Sequence, residues 1–328
     1  MKQRPATDAA AIDHAVQLLR QGRLVAFPTE TVYGLGADAA NPDAVRRIFA
    51  AKGRPADHPL IVHIKDTETL TDWAASVPDT ARQLAAHFWP GPLAIILTKK
   101  PSVSMTVTGG QNTVALRVPS HPVALRLLQA FDGGIAAPSA NRFCRISPTQ
   151  ARHVAEELGD AVDLILDGGA CQVGVESTIV DLSCAHPRLL RPGHITPFEI
   201  ETVLQTELLM PVSAGAETIR APGMMALHYA PTTAAMLCST QDLPASIERL
   251  AIDGKRVGVL AYRYTLTTQP PSQIICLPEQ ADQYAQGLYA SLRELDNLSL
   301  DIILVEQPPQ TAAWQAINDR LQKATIAR

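Results

Sequence analysis

Residues 24–53 read LVAFPTETVYGLGADAANPDAVRRIFAAKG, and this stretch decides the fold class. An apolar run at 24–27 has the length and composition of a strand. A polar, glycine-containing stretch follows it. Asn41-Pro42 then opens a helix with proline at the first helical position, expected to reach about Lys52 and to stop at Gly53. Strand, polar loop and helix in succession are the unit of an α/β domain. Outward from there the alternation continues. Asp8 can cap an earlier helix with Ile12, Val16 and Leu19 on one face and Gly22 at its end. Residues 60–64, 93–97, 113–118, 163–166, 177–182 and 188–191 read as further strands, with helical patterns between several of them. Past 206 a Pro/Gly-punctuated connection has no regular periodicity; it holds Pro211-Val-Ser-Ala-Gly-Ala and Ala221-Pro-Gly-Met-Met-Ala-Leu-His-Tyr-Ala-Pro231. A second α/β pattern follows, with strands near 235–238, 257–262 and 302–305 and helices near 242–252 and 280–296. The organisation expected is therefore a larger α/β domain over 1–205, a linker over 206–231 and a smaller α/β domain over 232–328.

The 328 residues suffice for two domains with sizeable cores. Charged residues are 18% of the chain and the net charge is -4, with 19 basic against 20 acidic side chains in 1–205. No region carries the basic excess of a dedicated nucleic-acid-binding domain. No apolar run approaches the roughly 20 residues that span a bilayer, and Asp8 and Asp13 interrupt what would be a signal peptide. The five cysteines are widely spaced, with no C-x-x-C pair, and read as reduced thiols of a cytoplasmic protein; neither protein-bound zinc nor a redox cofactor is expected.

Four stretches carry candidate chemistry. In Pro28-Thr-Glu-Thr-Val-Tyr-Gly-Leu-Gly36, hydroxyls and backbone amides follow a strand end, where open α/β sheets bind ligands. The glycines stand too far from both strand and helix for a dinucleotide fingerprint, and an ordinary glycine turn is the plain alternative. In Lys52-Gly-Arg54-Pro-Ala-Asp-His58-Pro-Leu-Ile-Val-His63, two cations leave a helix end; they are either a solvated, dipole-favoured terminus or a phosphate clamp. His63 faces the side of its strand opposite Val62 and Ile64, as a satisfied polar contact or as a ligand. In Thr113-Val-Ala-Leu-Arg117, period-two alternation separates Val114 and Leu116 from Thr113, Ala115 and Arg117. Arg117 then needs an anionic partner, either an internal carboxylate or a substrate's. Ala137-Pro-Ser139-Ala-Asn141, with Ser147-Pro-Thr149 after it, offers small polar groups that bond a nucleotide or cap a helix. There is no Walker motif, no H-x-x-E-H-type metal pattern and no G-x-S-x-G elbow. Several cations without a protein nucleophile suit a reaction whose nucleophile is a substrate, with positioning and charge stabilisation supplied by the protein.

Taken in order, PTETVYGLG, KGRPADHPLIVHI, WPGPLAIIL, TVALRVP, APSAN, SPT, ESTIVD and LRPG resemble the YrdC-like family across roughly the first 195 residues. APGMMALHYAP and the remainder resemble the linker and accessory domain of its long form. The resemblance implies a twisted open mixed sheet with helices, followed by a smaller Rossmann-like α/β domain. It implies a nucleotidyltransferase, an L-threonylcarbamoyladenylate synthase, that makes threonylcarbamoyl-AMP and pyrophosphate from L-threonine, bicarbonate and ATP, with Mg²⁺ accompanying ATP. The product serves threonylcarbamoylation of the adenosine beside the anticodon in tRNA, through a threonylcarbamoyl-transferase complex. The resemblance assigns L-threonine contacts to Thr31, His63, Arg117 and Ser177. It assigns ATP contacts to Lys52, Arg54, His58, Thr113, Ser139, Asn141, Ser147, Arg191 and Tyr229, with Lys52 and Arg54 carrying the catalytic charge. The family motif often has Asn where this chain has His58; a neutral imidazole still donates one hydrogen bond. A module of the same fold that binds RNA without synthase activity is the alternative, and the balanced charge of 1–205 argues against strong, salt-sensitive phosphate binding.

Overall fold

The computed structural model describes residues 3–6, 8–210, 219–263 and 271–325. They form two compact units. The first runs to Phe143 and resumes over Pro148–Gln172 and Glu176–Met224; the second takes Cys144–Ser147, Val173–Val175 and the chain from Met225 onward. The 206–231 connection is thus divided at Met224/Met225, because Ile219 and Ala221 pack with the first unit. Its Pro211-Val-Ser-Ala-Gly-Ala stretch lies outside the described residues.

Ten strands build the sheet of the first unit: β1 (Gln3–Pro5), β2 (Val25–Pro28), β3 (Tyr33–Asp38), β4 (Ile61–His63), β5 (Leu93–Thr98), β6 (Thr113–Arg117), β7 (Ile135–Ala136), β8 (Leu164–Asp167), β9 (Thr178–Asp181) and β10 (Arg188–Arg191). Their order is β1-β8-β2-β3-β7-β4-β6-β5-β9-β10, with parallel and antiparallel pairs mixed. The helix Pro42–Lys52 begins where Asn41 accepts the Asp43 and Ala44 N–H groups and ends at Gly53, which turns left-handed at φ 64°.

The Gly34-Leu-Gly36 stretch is not a glycine turn. It belongs to β3, which pairs antiparallel with β2 through Val25↔Gly36 and Pro28↔Tyr33. A Cβ at Gly36 would fall 2.8 Å from the Phe27 ring and 3.0 Å from the Val25 carbonyl oxygen, so close packing of the hairpin on its neighbours selects glycine there.

Alternation along the strands gives the sheet two different faces. Val62, Ile64, Val114, Leu116, Leu93, Ile95 and Val180 enter the main core. On the other face Ile61, Ala94, Ile96, Ala115, Ile179 and Leu190 form a smaller apolar floor, covered by Ala221 and Ile219. His63 and Arg117 rise from that floor, two residues along from Ile61 and Ala115.

The second unit is an all-parallel sheet of β11 (Ala234–Cys238), β12 (Val257–Ala261), β13 (Gln273–Cys276) and β14 (Ile302–Glu306), in the order β11-β14-β12-β13. The helices Leu243–Ile252 and Ala281–Asp296 make the crossovers such pairing needs. Gly174 counts with this unit for a steric reason: a Cβ there would lie 2.3 Å from the Ala285 carbonyl oxygen and 2.4 Å from the Gln286 Cα. No helix among the described residues is long and apolar enough to cross a membrane.

Candidate active site

The turn Thr29-Glu30-Thr31-Val32 joins β2 to β3. Thr29 Oγ1 donates to the Val32 carbonyl at 2.7 Å and accepts the Thr31 and Val32 N–H groups, each at 3.2 Å. With its proton committed to Val32, Thr29 Oγ1 takes the proton of Thr31 Oγ1 at 2.8 Å. The Thr31 oxygen is left to accept, and Arg117 Nη1 donates to it at 3.1 Å. Arg117 Nε donates to the Gly91 carbonyl at 3.2 Å, and Nη2 lies 2.7 Å from Glu30 Oε1. Glu30 Oε2 accepts the Ser120 N–H at 3.1 Å. The partner that Arg117 requires is thus an internal carboxylate, two residues into the hydroxyl-bearing Pro28-Thr-Glu-Thr stretch. The pair is buried, at 5% exposure for Glu30 and 3% for Arg117, yet Nη2 and Oε1 meet by proximity and not along an N–H direction.

His63 stands beside Arg117 in the parallel register of β4 and β6 and is buried. Burial, reinforced by the Arg117 charge, lowers its pKa to about 3, so the ring is neutral at ordinary pH. The Ile135 and Ile61 carbonyls oppose the shift, but neither is aligned with Nδ1. Ser177 precedes β9, whose first residue donates to the Pro92 carbonyl, next to the Gly91 carbonyl that receives Arg117. Arg191 grips Ser177 twice, Nε to the carbonyl at 3.0 Å and Nη2 to Oγ at 3.1 Å. Its Nη1 reaches the Pro222 carbonyl at 3.1 Å. The stretch before Pro222 is also held, by mutual bonds of Gln111 with Arg220 and by Arg220 Nη2 on the Gly109 carbonyl at 2.7 Å. Residues 219–222 therefore lie over the floor from which His63 and Arg117 rise.

A second cluster collects most of the residues assigned to ATP. Lys52 is buried, and its ammonium donates to the carbonyls of Ser139 at 2.5 Å and Asn141 at 2.6 Å, with Asn141 Oδ1 at 3.3 Å. Arg54 Nη2 donates to the Pro59 carbonyl at 3.0 Å, and the guanidinium stands 5.9 Å from the Phe143 ring centroid. His58 packs edge-on to the same ring, and burial followed by the Arg54 charge lowers its pKa. Thr113 opens β6, half-buried, on the face shared by Ala115 and Arg117. The two cations are thus not a solvated helix end.

Ser147 and Tyr229 belong to the second unit. Ser147 is buried there, and Tyr229, left-handed at φ 61°, stacks on Tyr289 with Arg320 over its ring. Sequence reasoning missed Glu30, Phe143 and the Gly91 and Pro59 carbonyls. Glu30 had a signal, since an arginine on a buried face demanded an acid; the carbonyls had none. The thiol of Cys171 is pushed up by burial and then by Glu30, which keeps it protonated and unsuited to attack.

A mixed sheet bearing a buried arginine, histidine and hydroxyl cluster on one face, with a separate parallel-sheet unit after it, defines a YrdC-like α/β protein of two units. Profiles of two families match the chain: "Telomere recombination" (Sua5, YciO and YrdC) over residues 17–193 and "Threonylcarbamoyl-AMP synthase, C-terminal domain" over residues 195–325. The chain belongs to the threonylcarbamoyl-AMP synthase family. It is 41% identical over 319 residues to the threonylcarbamoyl-AMP synthase of Pyrococcus abyssi, covering 95% of this chain and 93% of that one. It is 44% identical over 330 residues to the Bacillus subtilis threonylcarbamoyl-AMP synthase, covering 98% and 95%. The crystal structure of P. abyssi Sua5 complexed with L-threonine superposes with a TM-score of 0.90 at 40% identity, covering 96% of this chain and 94% of that one.

Proposed function

We propose that this chain makes threonylcarbamoyl-AMP from L-threonine, bicarbonate and ATP, releasing pyrophosphate, in the cytoplasm. The observation that carries the reading is the buried cluster of Arg117, Thr31 and His63, with Ser177 buried and held by Arg191, in a chain similar over nearly its whole length to threonylcarbamoyl-AMP synthases. Arg117 takes the threonine carboxylate, for which its planar fork is suited. Neutral His63 and the Thr31 and Ser177 hydroxyls hold the amino acid in place. ATP arrives as its Mg²⁺ complex, the metal entering with the substrate. The Lys52 and Arg54 cluster, with His58, Thr113, Ser139, Asn141 and Arg191, receives the nucleotide.

In this reading the threonine amine, having released its ammonium proton to solvent, condenses with bicarbonate, by way of carbon dioxide, to a carbamate with loss of one water. A carbamate oxygen attacks the α-phosphorus in line, the phosphorus–oxygen bond to pyrophosphate breaks, and the Lys52 and Arg54 charges offset the charge that develops on the leaving group. No protein nucleophile is needed. The threonylcarbamoyl group then passes to tRNA through a transferase complex. Pyrophosphate release in mixtures lacking ATP, L-threonine or bicarbonate in turn tests the reading: each omission should abolish turnover. RNA affinity that falls steeply with salt, without any ATP turnover, would support the RNA-binding alternative instead.

A further inference from the structure

Three buried side-chain atoms, on residues linked by an ion pair and by strand register in the first unit, lack an aligned hydrogen bond: Glu30 Oε1, Arg117 Nη2 and His63 Nδ1. Buried polar atoms are nearly always paired, so three together on neighbouring residues mark a place built to be completed by a ligand. Glu30 Oε1 and Arg117 Nη2 are 2.7 Å apart, and His63 is the register partner of Arg117 on the next strand. The rest of each group is already fixed. Glu30 is held through Oε2 by the Ser120 N–H, and Arg117 through Nε and Nη1 by Gly91 and Thr31. The atoms a ligand can complete are therefore one anion and one cation that meet each other at 2.7 Å without an aligned N–H, and one neutral imidazole nitrogen.

We propose that Glu30 receives the α-ammonium group of the amino-acid substrate, beside Arg117, which receives its carboxylate, while His63 Nδ1 meets the side-chain hydroxyl. This rests on the reading above and adds to it the group that distinguishes an amino acid from a hydroxy acid. The charge arithmetic favours it. Glu30 and Arg117 together are neutral, and a zwitterion added to them leaves the buried site neutral. A hydroxy acid of the same shape would bring one net negative charge next to Glu30, with little water to screen it. Glu30 thus works as a specificity residue: it admits a ligand with both charges and repels one with the carboxylate alone. A site that satisfies a polar group and leaves its own partner unpaired in the analogue discriminates strongly.

The test compares, by calorimetry on the full chain, L-threonine with (2S,3R)-2,3-dihydroxybutanoate, in which a hydroxyl replaces the ammonium. The wild-type chain should prefer L-threonine by about 100-fold or more. Glu30→Gln should bring the preference below about tenfold, mainly by losing threonine affinity, and Glu30→Asp should restore part of it. Both ligands carry the same carboxylate and 3-hydroxyl and differ only at C2, so a site that is merely loosened loses both affinities and leaves the ratio unmoved. An unchanged ratio in a folded Glu30→Gln chain would overturn the proposal. So would a wild-type ratio near one, which needs no variant to fold. Threonine-dependent pyrophosphate release by the wild type, measured in parallel, separates the two ideas: its loss with the ratio intact defeats the synthase reading and leaves Glu30 in place, and the reverse defeats Glu30 alone.

Discussion

The ammonium of Lys52 stands 2.5 Å from the carbonyl oxygen of Ser139, which ties the last residue of the helix Pro42–Lys52 to the loop after β7 by a charged hydrogen bond between buried segments. One side chain thereby both supplies charge and shapes the loop that carries Ser139 and Asn141. Lys52→Ala should slow pyrophosphate release by about 10²–10³-fold, the scale of losing one preorganised electrostatic donor. It should also destabilise the chain by about 1–3 kcal/mol, because the carbonyls of Ser139 and Asn141 lose their donor. Steady-state rates and urea unfolding on the same sample check both, and an unchanged rate would remove Lys52 from the mechanism.

Arg117 and Glu30 form a buried ion pair, and breaking such a pair costs more than deleting it. Arg117→Ala should destabilise by about 3–5 kcal/mol, since Glu30 stays buried without its cation. Removing both groups should cost less than the sum of the single changes. A double-mutant cycle in urea checks this; additive single costs would mean that the two side chains do not interact in solution.

The His63 pKa sets a direction for acid stability. Its folded value, about 3, lies below the ordinary 6.5, so the unfolded chain binds a proton that the folded chain refuses. Stability contributed at this site is full above pH 6.5 and falls as the pH drops from about 6.5 towards 3, by about 2 kcal/mol at pH 5. His63→Asn should flatten that part of the profile. Unfolding free energies from pH 7 to 5 check it; an equally steep decline in the variant would show that His63 is already charged in the folded state or exposed.

Residues 219–222 are pinned over the apolar floor by Gln111, Arg191 and the carbonyl of Gly109. Arg220→Ala combined with Gln111→Ala removes the Gln111 and Gly109 ties, leaving the Arg191 bond to Pro222, without touching Arg117 or Lys52. At about 1 kcal/mol per hydrogen bond, the apparent KM for threonine or ATP should rise about tenfold with little change in folding. If both KM values stay put, this stretch does not cover the working site.

Much of this is legible in the sequence. The alternation in Thr113–Arg117 placed Arg117 on the face away from Val114 and Leu116, because a strand's period is fixed by its backbone. The cap and proline at Asn41-Pro42 are local chemistry, and the helix begins there. What stayed hidden was non-local. Gly34 and Gly36 read as a turn, since the close approach of Phe27 and Ile135 that excludes a side chain at Gly36 comes from other strands. The carboxylate that Arg117 demanded was Glu30, 87 residues earlier in the numbering, and pairing at that distance leaves no periodic trace. Gly174 shares a unit with the helix Ala281–Asp296 through a fit that no short window of sequence contains.

The most direct test of the synthase account is pyrophosphate release by the full chain from ATP with L-threonine and bicarbonate, each left out in turn. The account expects turnover only when all three are present, with threonylcarbamoyl-AMP formed in step with pyrophosphate. Pyrophosphate release that persists without threonine would contradict it.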